Sequence, residues 1–153
     1  MSGYPRQHIY FESELQTMKT EKISVKLLEK SGAFGDGIVD FVKNESKIEA
    51  KFCTQNVCTN YCGSVYFNIL RLIRLRLEAN GVVLLCIASR VDVYPSGMSR
   101  SMGGGRRAYK LKLGQQARKE DIVDIFEFAD PSKIGSVEDQ HNYFREWAKS
   151  LRK

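Results

Sequence analysis

The chain has 153 residues, of which 42% are hydrophobic, and its formal charge is +6. This length suits one domain, and the apolar fraction is sufficient for a proper core, which excludes an intrinsically disordered chain. The positive charge favours acidic partners: nucleic acid, an anionic membrane surface or an acidic protein. The first residues lack the apolar run of a secretory signal, and the longest apolar stretch, at 82–88, is far too short to span a membrane. We therefore expect a single cytoplasmic domain, 1–153, that does not enter a membrane.

The first part of the chain predicts strands. Residues 1–20, which include His8, are polar and mixed, and this composition is compatible with a loosely packed arm. Turn-forming residues separate the stretches that follow. Those stretches have the alternation or the β-branched content typical of strands, and they are Ile23 to Leu27, Ile38 to Val42 and Ile48 to Phe52. An antiparallel group of strands is therefore expected to come first.

A helix and an apolar strand form the predicted centre of the fold. Apolar residues at helical spacing predict an amphipathic helix at about 63–79, with Leu72 on its apolar face. The opposite stripe, which we expect to be solvated, holds Phe67, Arg71, Arg74 and Glu78. Gly81 is a typical stop, because glycine adopts the left-handed cap conformation at little cost. The run at 82–88 lacks alternation, as expected of a strand buried on both faces.

The second half predicts an irregular segment, a strand and two helices. Residues 89–106 show no regular pattern, whereas 108–113 alternate as a strand does. At 120–128 we favour a helix over a strand, because the two acidic residues at its start suit a first helical turn. Ser136 is a typical N-cap for a C-terminal helix, one face of which would hold Val137, His141, Phe144, Trp147, Ala148 and Leu151. The fold class is α+β: a mixed, largely antiparallel sheet packed against the central helix and the C-terminal helix.

Residues 93–109 are the most distinctive stretch, with four glycines, three arginines, three serines and two methionines. Free backbone N–H groups and cations are the ingredients of an anion cradle, but the glycines lack the Gly-Lys-Ser/Thr ending of a phosphate loop. A flexible surface loop, a contact with a partner macromolecule and a small-molecule phosphate site all remain open. Long loops inside compact domains are often functional. The partner-binding hypothesis assigns contacts to Tyr94, Ser96, Met98, Arg100, Met102, Arg106, Arg107 and Tyr109.

The sequence predicts no catalytic residue, metal site or cofactor. Cys53, Cys58 and Cys62 have the spacing C-x4-C-x3-C, which matches neither zinc nor iron–sulfur ligation. We expect free thiols with a packing role, rather than a metal site or a redox switch. No Gly-x-Ser-x-Gly elbow is present, and His141 falls on the inner stripe of the last helix. A packing histidine is therefore favoured over a general base.

A small domain without catalytic motifs, carrying an irregular segment rich in Arg and Tyr, resembles the immunity proteins that protect bacteria from polymorphic or contact-dependent toxins. Trp147 and the seven tyrosines could anchor an interface. The resemblance implies a non-enzymatic α+β protein that binds and masks a toxin domain, here one with an acidic or mixed-charge surface. One alternative is a basic nucleic-acid-binding protein. Another is a small enzyme with its site on the 89–107 loop, for which Tyr94, Ser96, Ser99 and the arginines are the candidates.

Overall fold

The computed structural model describes residues 18–152, so most of the predicted arm, His8 included, lies outside the described residues. Within that range, three α-helices and eight strands form two antiparallel sheets with helices packed against them, which confirms the α+β class. The strands are β1 (Met18–Leu28), β2 (Phe34–Asn44), β3 (Lys47–Cys53), β4 (Cys58–Gly63), β5 (Val83–Leu84), β6 (Val93–Tyr94), β7 (Arg107–Lys110) and β8 (Ile122–Asp124). The helices are α1 (Tyr66–Ala79), α2 (Gly97–Gly103) and α3 (Val137–Ser150).

The larger sheet has the strand order β4-β3-β2-β1-β5, and it contains the three strands that the sequence predicted at its start. Their alternation separates a buried face, on which Val39, Phe41 and Ile48 are almost completely enclosed, from a solvated one. On the solvated face Lys26 and Asp36 pair across β1 and β2 at 2.5 Å. β4 was not predicted, because its sequence Cys-Thr-Asn-Tyr-Cys-Gly lacks β-branched apolar residues.

Helix α1 buries two flanks rather than one. Ile69, Leu70 and Ile73 are buried and belong to the same core cluster as the inner face of the large sheet. Phe67 and Arg74 are buried as well, whereas Leu72 is 45% exposed. The prediction that put Phe67 and Arg74 on a solvated stripe is therefore wrong. The prediction failed because other parts of the fold cover this flank of α1, even though the flank contains Arg74.

Arg74 links α1 to the elements that cover this flank. Its guanidinium donates to the carbonyls of Ala88 (3.1 Å) and Gly135 (3.0 Å) and to the side-chain oxygen of Gln140 (2.7 Å). Gln140 is 1% exposed. Its amide nitrogen donates at 2.7–2.9 Å to the carbonyls of Ala88, Arg90 and Val93. A buried polar cluster therefore joins α1, α3 and the segment between them.

The apolar run at 82–88 is not one strand, so that prediction is wrong in its extent. Only Val83–Leu84 pairs with β1, and the Leu85 N–H still donates to the Lys26 carbonyl. The chain then turns through a short 3-10 helix at Ile87–Ser89 and bonds to residues 125–127 instead. The apolar run corresponds to this passage from one sheet to the other, and apolar content alone does not distinguish such a passage from a strand.

The smaller sheet, of order β6-β7-β8, replaces much of what the sequence predicted to be irregular or helical. The predicted strand at 108–113 is present as β7, which ends at Lys110. The helix favoured at 120–128 is wrong: a 3-10 turn at Lys119–Asp121 leads into β8. Asp121 accepts a hydrogen bond from the Arg118 N–H and closes that turn, and pairing with β7 then extends the chain.

Helix α3 begins as predicted. The Ser136 hydroxyl accepts from the Asp139 N–H at 2.9 Å, and the Asp139 carboxylate accepts from the Ser136 N–H in return. The Glu78 carboxylate of α1 caps the neighbouring Val137 N–H at 2.8 Å. His141 is exposed, so the prediction that it packs on the inner face of the helix is wrong. The preceding residue, Gln140, is buried on that face instead. Among the described residues, no helix has the length and apolarity needed to cross a membrane.

Candidate functional site

The segment 93–109 has a defined structure and is not an irregular loop. The Ser96 hydroxyl accepts from the Ser99 N–H at 3.0 Å and caps the start of α2. Gly104 caps the end of the helix in the left-handed conformation, with a φ of 64°. The Gly104 carbonyl then accepts from the Tyr66 N–H at the start of α1, at 2.6 Å. The expectation of a segment without regular structure is therefore wrong, because local capping makes a short helix there.

The glycine run at the end of α2 serves close packing. Gly105 has a φ of 73°, and a Cβ there would lie 2.5 Å from a Val65 methyl group. Gly104 packs against the Tyr66 ring in the same way, at 3.3 Å from an added Cβ. Both glycines are buried, so their backbone N–H groups are not displayed to solvent as an anion cradle requires. These contacts hold α2 against the start of α1.

A groove of about 500 Å³ lies between α2 and the strands β7 and β8. Six of the eight residues assigned to partner binding line it, and they are Ser96, Met98, Met102, Arg106, Arg107 and Tyr109. The lining is completed by four residues outside the set assigned to partner binding, namely Ser99, Gly103, Ala108 and Ile122. The structure therefore brings together most of the predicted set in one concave surface.

Two methionines dominate the open side of this groove. Met98 is 71% exposed and Met102 is 80% exposed, and they lie one turn apart on α2. Exposed methionines are unbranched and polarizable, so they adapt to partner side chains of different shapes. Ile122, which is half-buried, adds apolar surface from the sheet. The groove thus presents an apolar lining that no described residue covers.

The three arginines of the segment differ in their roles. Arg106 is paired with both oxygens of Glu21, at 2.5 and 2.6 Å, and its guanidinium lies over the Tyr66 and Phe126 rings. This pairing holds the pKa of the Glu21 carboxyl below its usual value and raises the pKa of Arg106. Arg106 therefore braces the end of α2 against β1, and its charge is largely neutralised by Glu21.

Arg100 and Tyr94 lie behind the groove. The Arg100 guanidinium donates to the Asn68 side chain at 3.1 Å and lies 5.4 Å from the centre of the Tyr94 ring. Tyr94 is only 9% exposed and stacks on Phe144 at 4.1 Å. These two predicted contact residues thus support α2 from α1, β6 and α3, and they do not line the groove.

Arg107 is the exposed cation of the groove, and the described residues include no ion-pair partner for it. Lys19 and Lys43 line an adjoining cavity of about 410 Å³ that shares Gly103 and Arg106 with the groove. Lys43 also lies 5.8 Å from the centre of the Tyr66 ring. The charged residues that line the two cavities are therefore four cations and one carboxylate, Glu21, which is paired with Arg106. Asp124 lies opposite Arg107 in the β7–β8 register, so the rim has a net positive charge with one carboxylate beside it.

The side chains that are candidates for an enzymatic site have structural roles. The Ser99 hydroxyl donates to the Ser96 carbonyl at 3.0 Å, and the Ser96 hydroxyl caps α2. His141 lies beside the Tyr94 ring, at 6.4 Å between ring centres, and no hydrogen bond links it to either serine. In the described part of the chain, no three His, Cys, Asp or Glu side chains are placed to hold a metal ion. Within residues 18–152, neither of these two serines is paired with a base.

The cysteines differ from their predicted state. Cys53 and Cys58 form a disulfide across the β3–β4 hairpin, so the expectation of free thiols is wrong for this pair. Cys62 is free and exposed, whereas Cys86 is free and buried, and burial raises the pKa of its thiol. The pair was not predicted because β4 was not, and only the hairpin register places the two residues opposite each other.

No protein-family model matches the chain, and no curated protein sequence matches it. The groove is therefore the main guide to function.

Proposed function

We propose that this chain is a non-enzymatic protein-binding module that holds a partner protein in the groove between α2 and the strands β7 and β8. The observation that carries the proposal is the exposure of Met98 and Met102 beside a positively charged rim. Large exposed apolar side chains rimmed by polar residues are typical of protein interaction sites. The partner fitted by this chemistry presents one or two apolar side chains flanked by carboxylates.

Each part of the surface has a separate role in binding. Burial of the methionines supplies affinity at roughly 25 cal/mol for each Å² of apolar surface removed from water. Arg107, Lys19 and Lys43 attract acidic groups, which raises the rate of association and selects the partner more than it adds affinity. Arg106 stays with Glu21 and keeps α2 in place.

Within this class, we propose an immunity or inhibitor protein that masks a toxin domain with an acidic or mixed-charge surface. Such a role needs only a rigid binding surface on a small domain. The proposal is supported by serines that are used for capping and by a groove that is preformed by tertiary contacts. Rigid preformed surfaces lose less conformational entropy on binding, which favours tight inhibition.

The test measures binding to any toxin domain that a gene neighbouring the one for this chain encodes, with growth protection as the second readout. Arg107→Glu should slow association at least tenfold, whereas Met98→Ala with Met102→Ala should speed dissociation at least tenfold. The matched control is Arg145→Glu, which makes the same charge change at an exposed position of α3. Binding that is equally strong in all three variants would exclude the groove as the site.

The same Arg107→Glu variant tests the alternative of nucleic-acid binding. If retention on a nucleic-acid column at low salt depended on Arg107, and no toxin domain bound, the basic rim would serve a phosphate backbone instead.

A further inference from the structure

β4 is the outermost strand of the larger sheet, and among residues 18–152 only β3 pairs with it. Proteins usually protect such edges with charged residues, proline or a bulge. The sequence of β4 contains no charged residue and no proline. Its residues pair one to one with those of β3, without a bulge. As far as residues 18–152 are concerned, its outer edge is therefore an unprotected template for another strand.

The hydrogen-bond pattern of the β3–β4 hairpin shows which groups face that edge. The Cα atoms of Cys53 and Cys58 are 4.1 Å apart, a separation typical of a pair that exchanges no backbone hydrogen bonds. The adjacent pair is bonded, because the Thr54 N–H donates to the Val57 carbonyl at 2.9 Å. Bonded and non-bonded pairs alternate along an antiparallel ladder, so the backbone groups of Cys58 point away from β3.

The same alternation applies along the rest of β4. The backbone N–H and C=O groups of Cys58, Asn60 and Cys62 point outward, and those of the residues between them point to β3. The side chains of the same three residues are exposed on the solvated face of the sheet. The edge therefore offers three donors and three acceptors at regular spacing, centred on Asn60.

We propose that two copies of this chain pair through β4, antiparallel, about a two-fold axis at Asn60. In this register Asn60 lies opposite Asn60 of the second copy, and Cys58 lies opposite Cys62 of the second copy. Every outward N–H then donates to an outward carbonyl, three from each copy. An isologous contact of this kind is self-complementary by symmetry, and it joins the two sheets into one continuous sheet.

The flanks of the edge suit the same contact. Val57 is 57% exposed and lies, in this register, opposite Gly63 of the second copy, which has no side chain to exclude it. On α1, Leu72 is 45% exposed and precedes Arg76 by one turn. Arg76 and β4 residues line one cavity, so this flank of α1 borders the edge. Apolar surface beside the strand adds to the area that a stable interface needs.

The register also places a free thiol against a disulfide. Residues of a bonded antiparallel pair have Cα atoms about 5.5 Å apart, within the range a disulfide spans. The Cys62 thiolate can therefore attack the Cys58 sulfur of the second copy. The Cys53–Cys58 bond breaks, Cys53 leaves as a thiolate and takes up a proton, and a Cys62–Cys58 disulfide joins the copies without an external oxidant. Two Cys62 residues would be about 14 Å apart, too far to bond.

The first test measures the monomer–dimer equilibrium of the full chain by analytical ultracentrifugation. Asn60→Lys and Asn60→Asp each place two like charges side by side at the two-fold axis, so each should raise the dissociation constant at least tenfold. An equimolar mixture of the two variants should dimerise again. Ser24→Lys, an exposed change on the same face of β1, should have no effect. A monomeric wild-type chain, or a dimer unaffected at residue 60, would overturn the proposal.

The second test maps the covalent link at mildly alkaline pH by mass spectrometry of non-reduced peptides. A Cys62–Cys58 link between copies is expected, and Cys62→Ser should abolish it while leaving the equilibrium dimer intact. A link between two Cys62 residues, or a dimer that forms no Cys62–Cys58 link, would contradict the register.

Discussion

Replacement of Gln140 by leucine should lower the free energy of unfolding by about 3–4 kcal/mol. Leucine is close to glutamine in volume, so the main cost is polar. The buried Arg74 guanidinium loses its hydrogen bond to the Gln140 oxygen, and bonds to charged groups contribute about 1.5–3 kcal/mol. The Val93 carbonyl loses a donor, which adds about 1–2 kcal/mol, whereas the Arg90 carbonyl keeps the Val93 N–H as a donor. The Ala88 carbonyl keeps Arg74 as its donor.

Urea denaturation followed by circular dichroism checks this value, provided that the slope with urea is unchanged. Asn142→Leu is the control, because Asn142 is exposed on the same helix, and it should change stability by no more than about 0.5 kcal/mol. Combining Gln140→Leu with Arg74→Met should cost less than the sum of the two single changes, since both polar partners are then absent. A Gln140→Leu midpoint equal to that of the control would refute this account of the cluster.

Two further predictions concern the support of α2. Pairing with Arg106 lowers the Glu21 pKa below its usual 4.5, so its stabilisation is present above about pH 5 and is lost as the pH falls through the lowered pKa. Glu21→Gln should therefore destabilise by about 0.5–1 kcal/mol near neutral pH, with the difference vanishing near pH 2 in urea titrations; a pH-independent difference would contradict this. Gly105→Ala should destabilise by about 1–3 kcal/mol more than Gly114→Ala, because both have positive φ but only Gly105 meets Val65. Equal losses would exclude the packing role.

Local patterns were sufficient for the elements whose environment is simple. The first three strands have one buried and one solvated face, so alternation predicted them. Helix α3 was predicted from its cap, because Ser136 and Asp139 satisfy each other's backbone within one turn. In both cases the pattern that allowed the prediction lies within a few residues in sequence.

Elements fixed by distant partners could not be predicted in this way. Arg74 is buried because α3 brings Gln140 to it, and a cation on a helix otherwise indicates a solvated face. β8 is extended because β7 pairs with it, although its acidic start suits a helix. The Cys53–Cys58 disulfide depends on the hairpin register, which a polar strand does not reveal.

The composition of the sequence indicated which segment forms the site, whereas the geometry of the site is determined by packing. The excess of glycine, arginine and methionine at 93–109 marked the segment that lines the groove. Composition did not separate Arg107, which faces solvent, from Arg106, which is held by Glu21. Nor did it separate Tyr109, which lines the groove, from Tyr94, which is buried behind it. That distinction requires the direction in which each strand residue points.

The rigidity of the groove links its packing to the proposed function. The Gly104 carbonyl is bonded to the start of α1, and Arg106 is paired with β1, so α2 is fixed at its C-terminal end by two separate elements. A site held in this way loses little conformational entropy when a partner binds. Loosening either support should therefore weaken binding without altering a residue that touches the partner. Gly105→Ala provides that test, because Gly105 is buried, lines neither cavity and carries no charge: a faster dissociation with the methionines intact would show that the support itself contributes to affinity.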